Sequence, residues 1–470
     1  MVWYPHSRTT GLAFAGLFAL AVVNCTQARD IPADHADIAV PASFAGNTAA
    51  PSTPIATSEW WKTFSDPALD ALIARMHEGN TTIQQSAARL AAARAQAHLG
   101  AASRSPQVGF DASASHASGP LINDAGGNGS LYTARISVSW EADLLGRLSG
   151  QRKAERLDAR AAEALLRDTH LLMEAETARA YFETVYLQQA EASTAQQAAL
   201  WQEREAIASE RTRRGFAPQL DLGQLRQRAI ASAAEAAELS RQLAEARNAL
   251  GFLVGEPAPL TVSPRDLPEA PVVPAGLPSQ VLARRPDVDA AASHLEAADS
   301  RLQSARRSWL PMFSLTASGG GASPSLGQIL SASARDFGSG LLFSLPLFDG
   351  GRHKAQVAGS KAERALAEAQ YREVMLSALR EVNDALAAVE ASGMQARLAD
   401  ESLTLGESEA AIQTRRAAIG TVSRAQLLES QLAASRKRQQ ALGARYARLV
   451  AAIDLIKALG GGWTELPGLR

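Results

Sequence analysis

The sequence predicts an α+β membrane protein with two successive αββαα repeats. The first observation is a constant offset, because four landmarks recur 205 positions later: Pro106 and Pro311, Gly146 and Gly351, Gly215 and Gly420, Gly255 and Gly460. The second is that each half contains two segments in which apolar and polar residues alternate, as in β-strands. The third is a proline-free stretch in each half, at 148–213 and 353–418. Helices of that length extend for about 100 Å.

The N-terminus has the pattern of an export signal. Arg8 precedes an apolar run at 11–23, which is shorter than the roughly 20 residues that a membrane-spanning helix needs. We therefore predict a signal peptide at 1–24. Cys25 follows directly and is the candidate for lipid acylation, although Asn24 stands where acylation sites favour a small residue. The alternative is an ordinary cleavage site beside an unrelated cysteine. Residues 25–58 lack periodicity and predict an extended tether carried by the lipid anchor.

The composition argues against catalysis and against nucleic-acid binding. Among 470 residues, 47 Lys and Arg balance 48 Asp and Glu, so the basic surface that nucleic acid requires is missing. A single cysteine excludes an intrachain disulfide and a cysteine zinc site. No two of the eight histidines are closer than 18 residues, and no HExxH, phosphate-loop or GxSxG motif occurs. We predict no enzymatic activity, no cofactor and no metal site.

The first repeat is assigned to residues 59–258. Its first helix begins with Asp66 as N-cap and Pro67 in the first turn, and it extends to about Ala102. The later elements are a strand at 107–117, a glycine-rich turn at 119–130, a strand at 133–144, the long helix and a shorter helix.

A proline-rich linker at 259–278 separates this unit from the second repeat at 279–463, and residues 464–470 form a C-terminal tail. In the second repeat, one strand alternates about Phe313 and Leu315. The apolar face of the last strand comprises Leu341, Phe343, Leu345 and Leu347. Arg285 and Asp287 stand at a helix start, where we expect capping or an ion pair in preference to a catalytic role.

The four strands have the length and alternation of membrane-spanning β-strands. A sheet edge cannot remain open in lipid, and four strands cannot close a barrel, so the chain must oligomerise if these strands are in a membrane. Two copies give eight strands and a filled interior, whereas three copies give twelve and leave a lumen. The alternatives are a soluble sandwich with the apolar face as its core, and a long coiled coil, which leaves the strands unexplained.

Five motifs carry a resemblance to a known family. They are the segments 60–69 (WWKTFSDPAL), 139–147 (SWEADLLGR), 285–288 (RPDV), 347–351 (LFDGG) and 458–463 (ALGGGW). In their order and spacing they resemble the TolC-like outer membrane factors, specifically the NodT-type lipoproteins of RND efflux systems, and the resemblance covers nearly all of 59–463.

The resemblance implies a homotrimer with a 12-stranded transmembrane β-barrel continuous with a long periplasmic α-helical barrel. It implies an outer-membrane duct that passively exports small molecules or drugs, served by a periplasmic adaptor protein and an inner-membrane RND pump. Two alternatives remain open. A channel for type I protein secretion has the same fold, and a non-channel structural lipoprotein predicts no conductance.

Two breaks between helices are expected at the periplasmic tip, where the resemblance implies adaptor contact. Gly215 and Gly420 suit the residue after a helix end, which adopts positive φ. The alternative is that both segments are only tight turns. The segments comprise Arg214, Gly215, Phe216, Ala217 and Pro218, and Ile419, Gly420, Thr421, Val422 and Ser423.

The start of the last helix is expected to narrow the periplasmic mouth. The resemblance implies acidic residues six and nine positions after the tip glycine, which are Gln426 and Glu429 here, so only one is acidic. Gln426 has a competing role, because Ser423 and Gln426 form a capping-box pattern. The alternative for Glu429 is a solvated helix charge.

Overall fold

A computed structural model describes residues 59–118, 128–216, 218–273 and 278–461. The predicted signal peptide, the tether with Cys25, Ala217 and the tail 464–470 lie outside the described residues. The helices are α1 (Pro67–Gly79), α2 (Thr81–Ala102), α3 (Arg147–Arg213), α4 (Gln219–Leu253), α5 (Pro278–Arg284), α6 (Pro286–Arg307), α7 (Arg352–Ala418) and α8 (Arg424–Ala458). The strands are β1 (Gln107–Ser118), β2 (Asn128–Ala142), β3 (Met312–Ser323) and β4 (Arg335–Ser344). A 3₁₀ helix, Trp60–Phe64, precedes α1.

The two halves have the same order of helices and strands. The long helices α3 and α7 have 67 residues each, and the shorter helices α4 and α8 have 35 each. The glycines of the 205-residue offset that follow these helices all have positive φ: Gly215, Gly255, Gly420 and Gly460. Since an L-residue with a side chain rarely adopts this conformation, glycine ends these helices at corresponding places.

The prediction of one helix from Asp66 to about Ala102 is wrong, because the chain breaks at Asn80. The Asn80 side chain accepts hydrogen bonds from the backbone N–H groups of Thr82 and Ile83, at 2.9 and 3.1 Å, and so caps α2. Its amide also donates to the carbonyl of Leu253 at 2.7 Å. The predicted cap at Asp66 is confirmed, since its carboxylate accepts from Ala68 N at 3.0 Å.

The strand boundaries differ from the prediction in two places. β2 begins at Asn128, which pairs with Ser118, so the strand starts five residues earlier than the predicted 133. It ends before Asp143, whose carboxylate instead accepts from the backbone N–H groups of Leu148 and Ser149 at the start of α3. β4 ends at Ser344, so the assignment of Leu345 and Leu347 to the strand is also wrong. Pro346, between them, has no N–H for a further ladder bond.

The hydrophobic core lies around α3, where α1, α4, α8 and the 3₁₀ helix meet. Its fully buried side chains include Trp60, Leu69, Ile73, Met76, Tyr181, Phe182, Leu250, Leu449 and Ile453. Tyr181 donates its hydroxyl to Asp66 at 2.6 Å, so the cap of α1 is tied to the middle of α3. The segment at 60–69 therefore forms core structure that ties the start of the first repeat to α3 and to α8 of the second repeat.

The expected role of Arg285 and Asp287 is confirmed. Arg285 is buried and donates to Asp287 at 2.7 Å and to Glu381 of α7 at 2.8 Å. It also donates to the carbonyl of Ala458 at the end of α8 at 2.9 Å. One guanidinium thus joins three helices by charge-assisted hydrogen bonds.

The four strands form one antiparallel sheet in the order β1-β2-β3-β4. No helix within the described ranges has both the length and the hydropathy needed to cross a membrane.

Candidate functional site

One face of the sheet is apolar and exposed. The register places Val108 beside Val138 and Phe110 beside Ile136, and it places Trp140 beside Leu315, which in turn faces Leu341. Val108 is 70% exposed and Phe110 is 68% exposed. An apolar surface of this kind is typical of a membrane or protein contact. It contradicts the soluble sandwich, in which this face would form the core, and the sheet itself contradicts a simple coiled coil.

The opposite face of the sheet carries polar and charged side chains. Ser113 and Thr133 share a hydrogen bond at 2.7 Å, and Arg135 forms an ion pair with Asp336. The register shows that Gly320 lies between Arg135 and Asp336, so no side chain separates the two charges. A sheet with one apolar and one polar face is suited to separating lipid from water.

The edges of this sheet are β1 and β4, which each pair with only one other strand of the described chain. Unpaired strand edges present rows of free N–H and C=O groups, which tend to pair with another chain. If the sheet lies in a membrane, a single protomer therefore leaves its two edges without partners.

The first tip follows α3. Gly215 has φ of 77°, and the N–H of Phe216 donates to the carbonyl of Arg211 at 2.8 Å. The second tip follows α7, where Gly420 has φ of 73° and the N–H of Thr421 donates to Arg416 at 3.0 Å. The predicted helix-ending role of both glycines is confirmed. Adaptor contact at these segments stays a prediction.

Each tip exposes a large apolar residue. Phe216 is 72% exposed and Ile419 is 76% exposed. The two tips lie at the same end of the helices, because Phe216 and Pro218 line one cleft together with Ala425 of α8. This arrangement forms one surface from segments more than 200 residues apart in the sequence.

Gln426 occupies the capping position that its spacing from Ser423 predicts. Gln426 Oε1 accepts from the backbone N–H of Ser423 at 2.9 Å, and Ser423 Oγ accepts from the N–H of Gln426 at 3.3 Å. The side chain therefore stabilises the start of α8. A part of Gln426 in the constriction stays a prediction.

Glu429 is exposed but has a partner, because its carboxylate accepts from Arg204 of α3 at 3.3 Å. The guanidinium of Arg204 lies 5.6 Å from the ring centre of Trp201. A second pair, Arg424 and Glu203, joins the same two helices at 2.6 Å. Sequence analysis missed Arg204 and Glu203, since their partners are 225 and 221 residues away and no local pattern links them.

A cluster of potential metal ligands lies away from the sheet and the tips. His77 Nδ1 and His170 Nδ1 are 3.1 Å apart, and His77 Nε2 is 3.3 Å from Glu174 Oε1. Burial, and secondly the charge of His170, lower the pKa of His77 to about 4, while burial lowers the pKa of His170 as well. Burial raises the pKa of Glu174 to about 8, against the opposing hydrogen bond from Trp60. The wide sequence spacing of the histidines concealed this cluster.

Known proteins resemble this chain in sequence and in fold. The family model for outer membrane efflux proteins matches residues 72–256 and 277–461. The toluene efflux pump outer membrane protein TtgC of Pseudomonas putida is 30% identical over 426 residues, covering 89% of this chain and 88% of TtgC. The cation efflux system protein CusC of Escherichia coli O157:H7 is 30% identical over 458 residues, with coverage of 95% and 98%.

The solved outer-membrane channel OprN matches the fold with a TM-score of 0.81 at 28% identity, covering 90% of this chain and 97% of OprN. The two matches of the family model begin 205 residues apart, which is the offset of the glycine and proline landmarks. The resemblance, the outer-membrane location and the role as an exit duct in efflux are confirmed, because the chain belongs to the outer membrane efflux protein family.

Proposed function

We propose that three copies of this chain form the exit duct, with a 12-stranded transmembrane β-barrel continuous with a periplasmic α-helical barrel. The observation that carries this proposal is the sheet, with its exposed apolar face, its polar opposite face and its two open edges. In lipid, β1 of one copy has to pair with β4 of the next. Three copies supply twelve strands, enough for a water-filled lumen lined by the polar face.

The subunit number and the channel are testable together. Purified protein in detergent is expected to give a crosslinking ladder that ends at three chains and to give discrete conductance steps in planar bilayers. A ladder that ends at two chains would overturn the trimer. A confirmed trimer without conductance would instead favour the structural lipoprotein.

We further propose that the duct passively carries small molecules or drugs, without a catalytic step, from a periplasmic adaptor and an RND pump of the inner membrane. Support comes from TtgC and CusC, whose names assign them to the efflux of toluene and of cations. The test is drug export by cells that carry the cognate pump and adaptor, with and without this chain. Export of an unfolded protein substrate in place of drugs would favour type I secretion.

Adaptor contact at the tip segments rests on their exposure and on Phe216 and Ile419. Thr421→Trp adds bulk to an exposed residue of the second tip, and efflux is expected to be lost at normal trimer level. The matched control is Ser333→Trp in the β3–β4 loop, at the end of the sheet that lies away from α6 and α7. This variant is expected to preserve efflux. Equal efflux in both variants would argue against adaptor contact.

Lipid anchoring at Cys25 is proposed from the apolar run that precedes it. Cys25→Ser is expected to abolish incorporation of labelled palmitate, while trimer formation remains. A variant that combines Cys25→Ser with Ser52→Cys provides the control, since a cysteine elsewhere in the tether is expected to stay unlabelled. Persistent labelling of Cys25→Ser would exclude Cys25 as the anchor.

A further inference from the structure

Three side chains with metal-binding atoms converge between α1 and α3. His77 lies in the last turn of α1, and His170 and Glu174 lie four residues apart on α3, so they share one face of that helix. One nitrogen of each ring and one carboxylate oxygen all lie within 4.8 Å of one another. The closest approach is the 3.1 Å between the Nδ1 atoms of the two histidines.

Neighbouring groups hold these side chains in place. Trp60 Nε1 donates to Glu174 Oε2 at 2.9 Å, which orients the carboxylate and leaves Oε1 directed towards His77. Hydrogen bonds from outside the ligand set are what orient ligands in protein metal sites. The Trp61 ring lies 5.9 Å from the His77 ring. Glu174 is buried, while the two histidines are partly exposed and leave a path from solvent.

The donor types indicate the class of ion. Two imidazoles and one carboxylate suit zinc and the neighbouring divalent transition metals. The lack of a thiolate or thioether disfavours copper(I), and a single carboxylate disfavours calcium and magnesium, which prefer several oxygen ligands. A tetrahedral zinc ion with bonds of about 2.0–2.1 Å keeps its ligand atoms roughly 3.3 Å apart. The three candidate atoms lie within 4.8 Å of one another, so they would have to approach by at most about 1.5 Å.

We propose that His77, His170 and Glu174 bind a divalent transition-metal ion of the zinc class, with solvent as the fourth ligand. The ion would link the end of α1 to the middle of α3, beside the hydrophobic core. The site is independent of the proposed channel function, because none of its residues belongs to the sheet or to the tips.

The test uses the purified full-length protein, freed of affinity tags and of metal by a chelator that is then removed. Zinc titration by calorimetry is expected to show a micromolar or tighter site in each chain that depends on these residues. Zinc is also expected to raise the midpoint of thermal unfolding, because it binds the folded state. Cobalt(II) is expected to develop visible absorption bands of a tetrahedral site.

Two variants and one control make the test specific. Glu174→Gln keeps an oxygen that accepts from Trp60, and His170→Gln changes a side chain that is partly exposed. Both variants are therefore expected to fold and to bind zinc at least ten-fold more weakly than the wild type. The control is His294→Gln on α6, which removes a histidine 3.5 Å from Asp158, outside the cluster, and is expected to bind as the wild type does. Absence of zinc binding in the wild type, or full binding by His170→Gln, would overturn the proposal. So would an equal loss in His294→Gln.

Discussion

The helices α3 and α7 have equal length and corresponding positions in the two halves, but their surroundings differ. Twenty residues of α3 are buried and only seven of α7 are, because α3 packs against α1, α2, α4, α6 and α8 while α7 packs mainly against α6 and α8. The exposed side of α7 carries Leu398, Leu405 and Ile412, seven residues apart, with Ile419 at the end of the helix. Apolar residues at that spacing are typical of a seam between helices. Two helices of equal length and corresponding position thus differ in role: α3 belongs to the core of the protomer, whereas α7 presents an apolar surface. We expect that surface to contact a second copy of the chain.

The largest effect is expected in the core around α3. Phe182 is fully buried, and its ring lies 5.2 Å from that of Phe64. Phe182→Ala removes this packing and leaves a cavity, so we expect a loss of about 3–5 kcal/mol in the free energy of unfolding. Urea unfolding of the protein in detergent, followed by circular dichroism, measures it. The control on α7 is Leu398→Ala, which is expected to cost much less in a dissociated protomer because Leu398 is exposed there. A loss as large as that of Phe182→Ala would show that the two helices do not differ in burial.

The second effect concerns assembly. Leu405 is 64% exposed in the protomer, and Leu405→Glu places a charge in the apolar stripe of α7, which desolvation in an interface would penalise. We expect the trimer fraction to fall at least ten-fold while helix content stays normal, as measured by crosslinking and circular dichroism. Leu405→Met is the matched control and is expected to keep the trimer. A full trimer level in the glutamate variant would show that the stripe faces solvent or lipid instead.

These contrasts also show how far the sequence could predict the structure. The bounds of α3 and α7 were predictable, because proline is missing between glycines that favour positive φ. The strands were predictable from alternation. The break at Asn80 was not, because the Asn80 side chain bonds to Leu253, 173 residues away. The pairing of Glu429 with Arg204 and the contact of His77 with His170 also arise only when distant helices meet. Local patterns predict that the long helices and the strands exist, whereas the break at Asn80 and the partners of side chains depend on packing.

The third effect is a pH dependence of stability that we expect from Asp168 on α3. Burial, and next the charge of Asp287, raise the pKa of Asp168 to about 6, partly opposed by Arg285. The folded state therefore holds this proton more tightly than the unfolded state, whose aspartate has a pKa of about 3.9. The contribution of Asp168 to the free energy of unfolding is most favourable below the unfolded pKa, falls as the pH rises from about 4 to 6, and then stays level with the penalty present.

Asp168→Asn removes that penalty. We expect a higher midpoint of thermal unfolding at pH 7.5 and a smaller change between pH 4 and 6 than in the wild type. The matched control is Glu373→Gln, an exposed residue of α7 at the position 205 residues after Asp168, which is expected to leave the wild-type pH profile. An unchanged profile in Asp168→Asn would show that this carboxyl group does not control the pH dependence.

The smallest effect is expected near the tip segments, where α3 and α8 are joined by ion pairs. Threefold symmetry would bring three Glu429 carboxylates around one axis, and rings of carboxylates favour cations in pores. Arg204 donates to Glu429 at 3.3 Å, so each carboxylate of such a ring would be partly neutralised by its own chain. Glu429→Ala is then expected to reduce cation selectivity modestly, and resting conductance rises if the ring helps to close the mouth.

Arg204→Met, which keeps an apolar stem beside Trp201, is expected to increase cation selectivity because it leaves Glu429 unpaired. Reversal potentials of single channels in a salt gradient measure both variants. Opposite shifts support a ring at Glu429, whereas wild-type values in both variants would identify Glu429 as an ordinary surface charge.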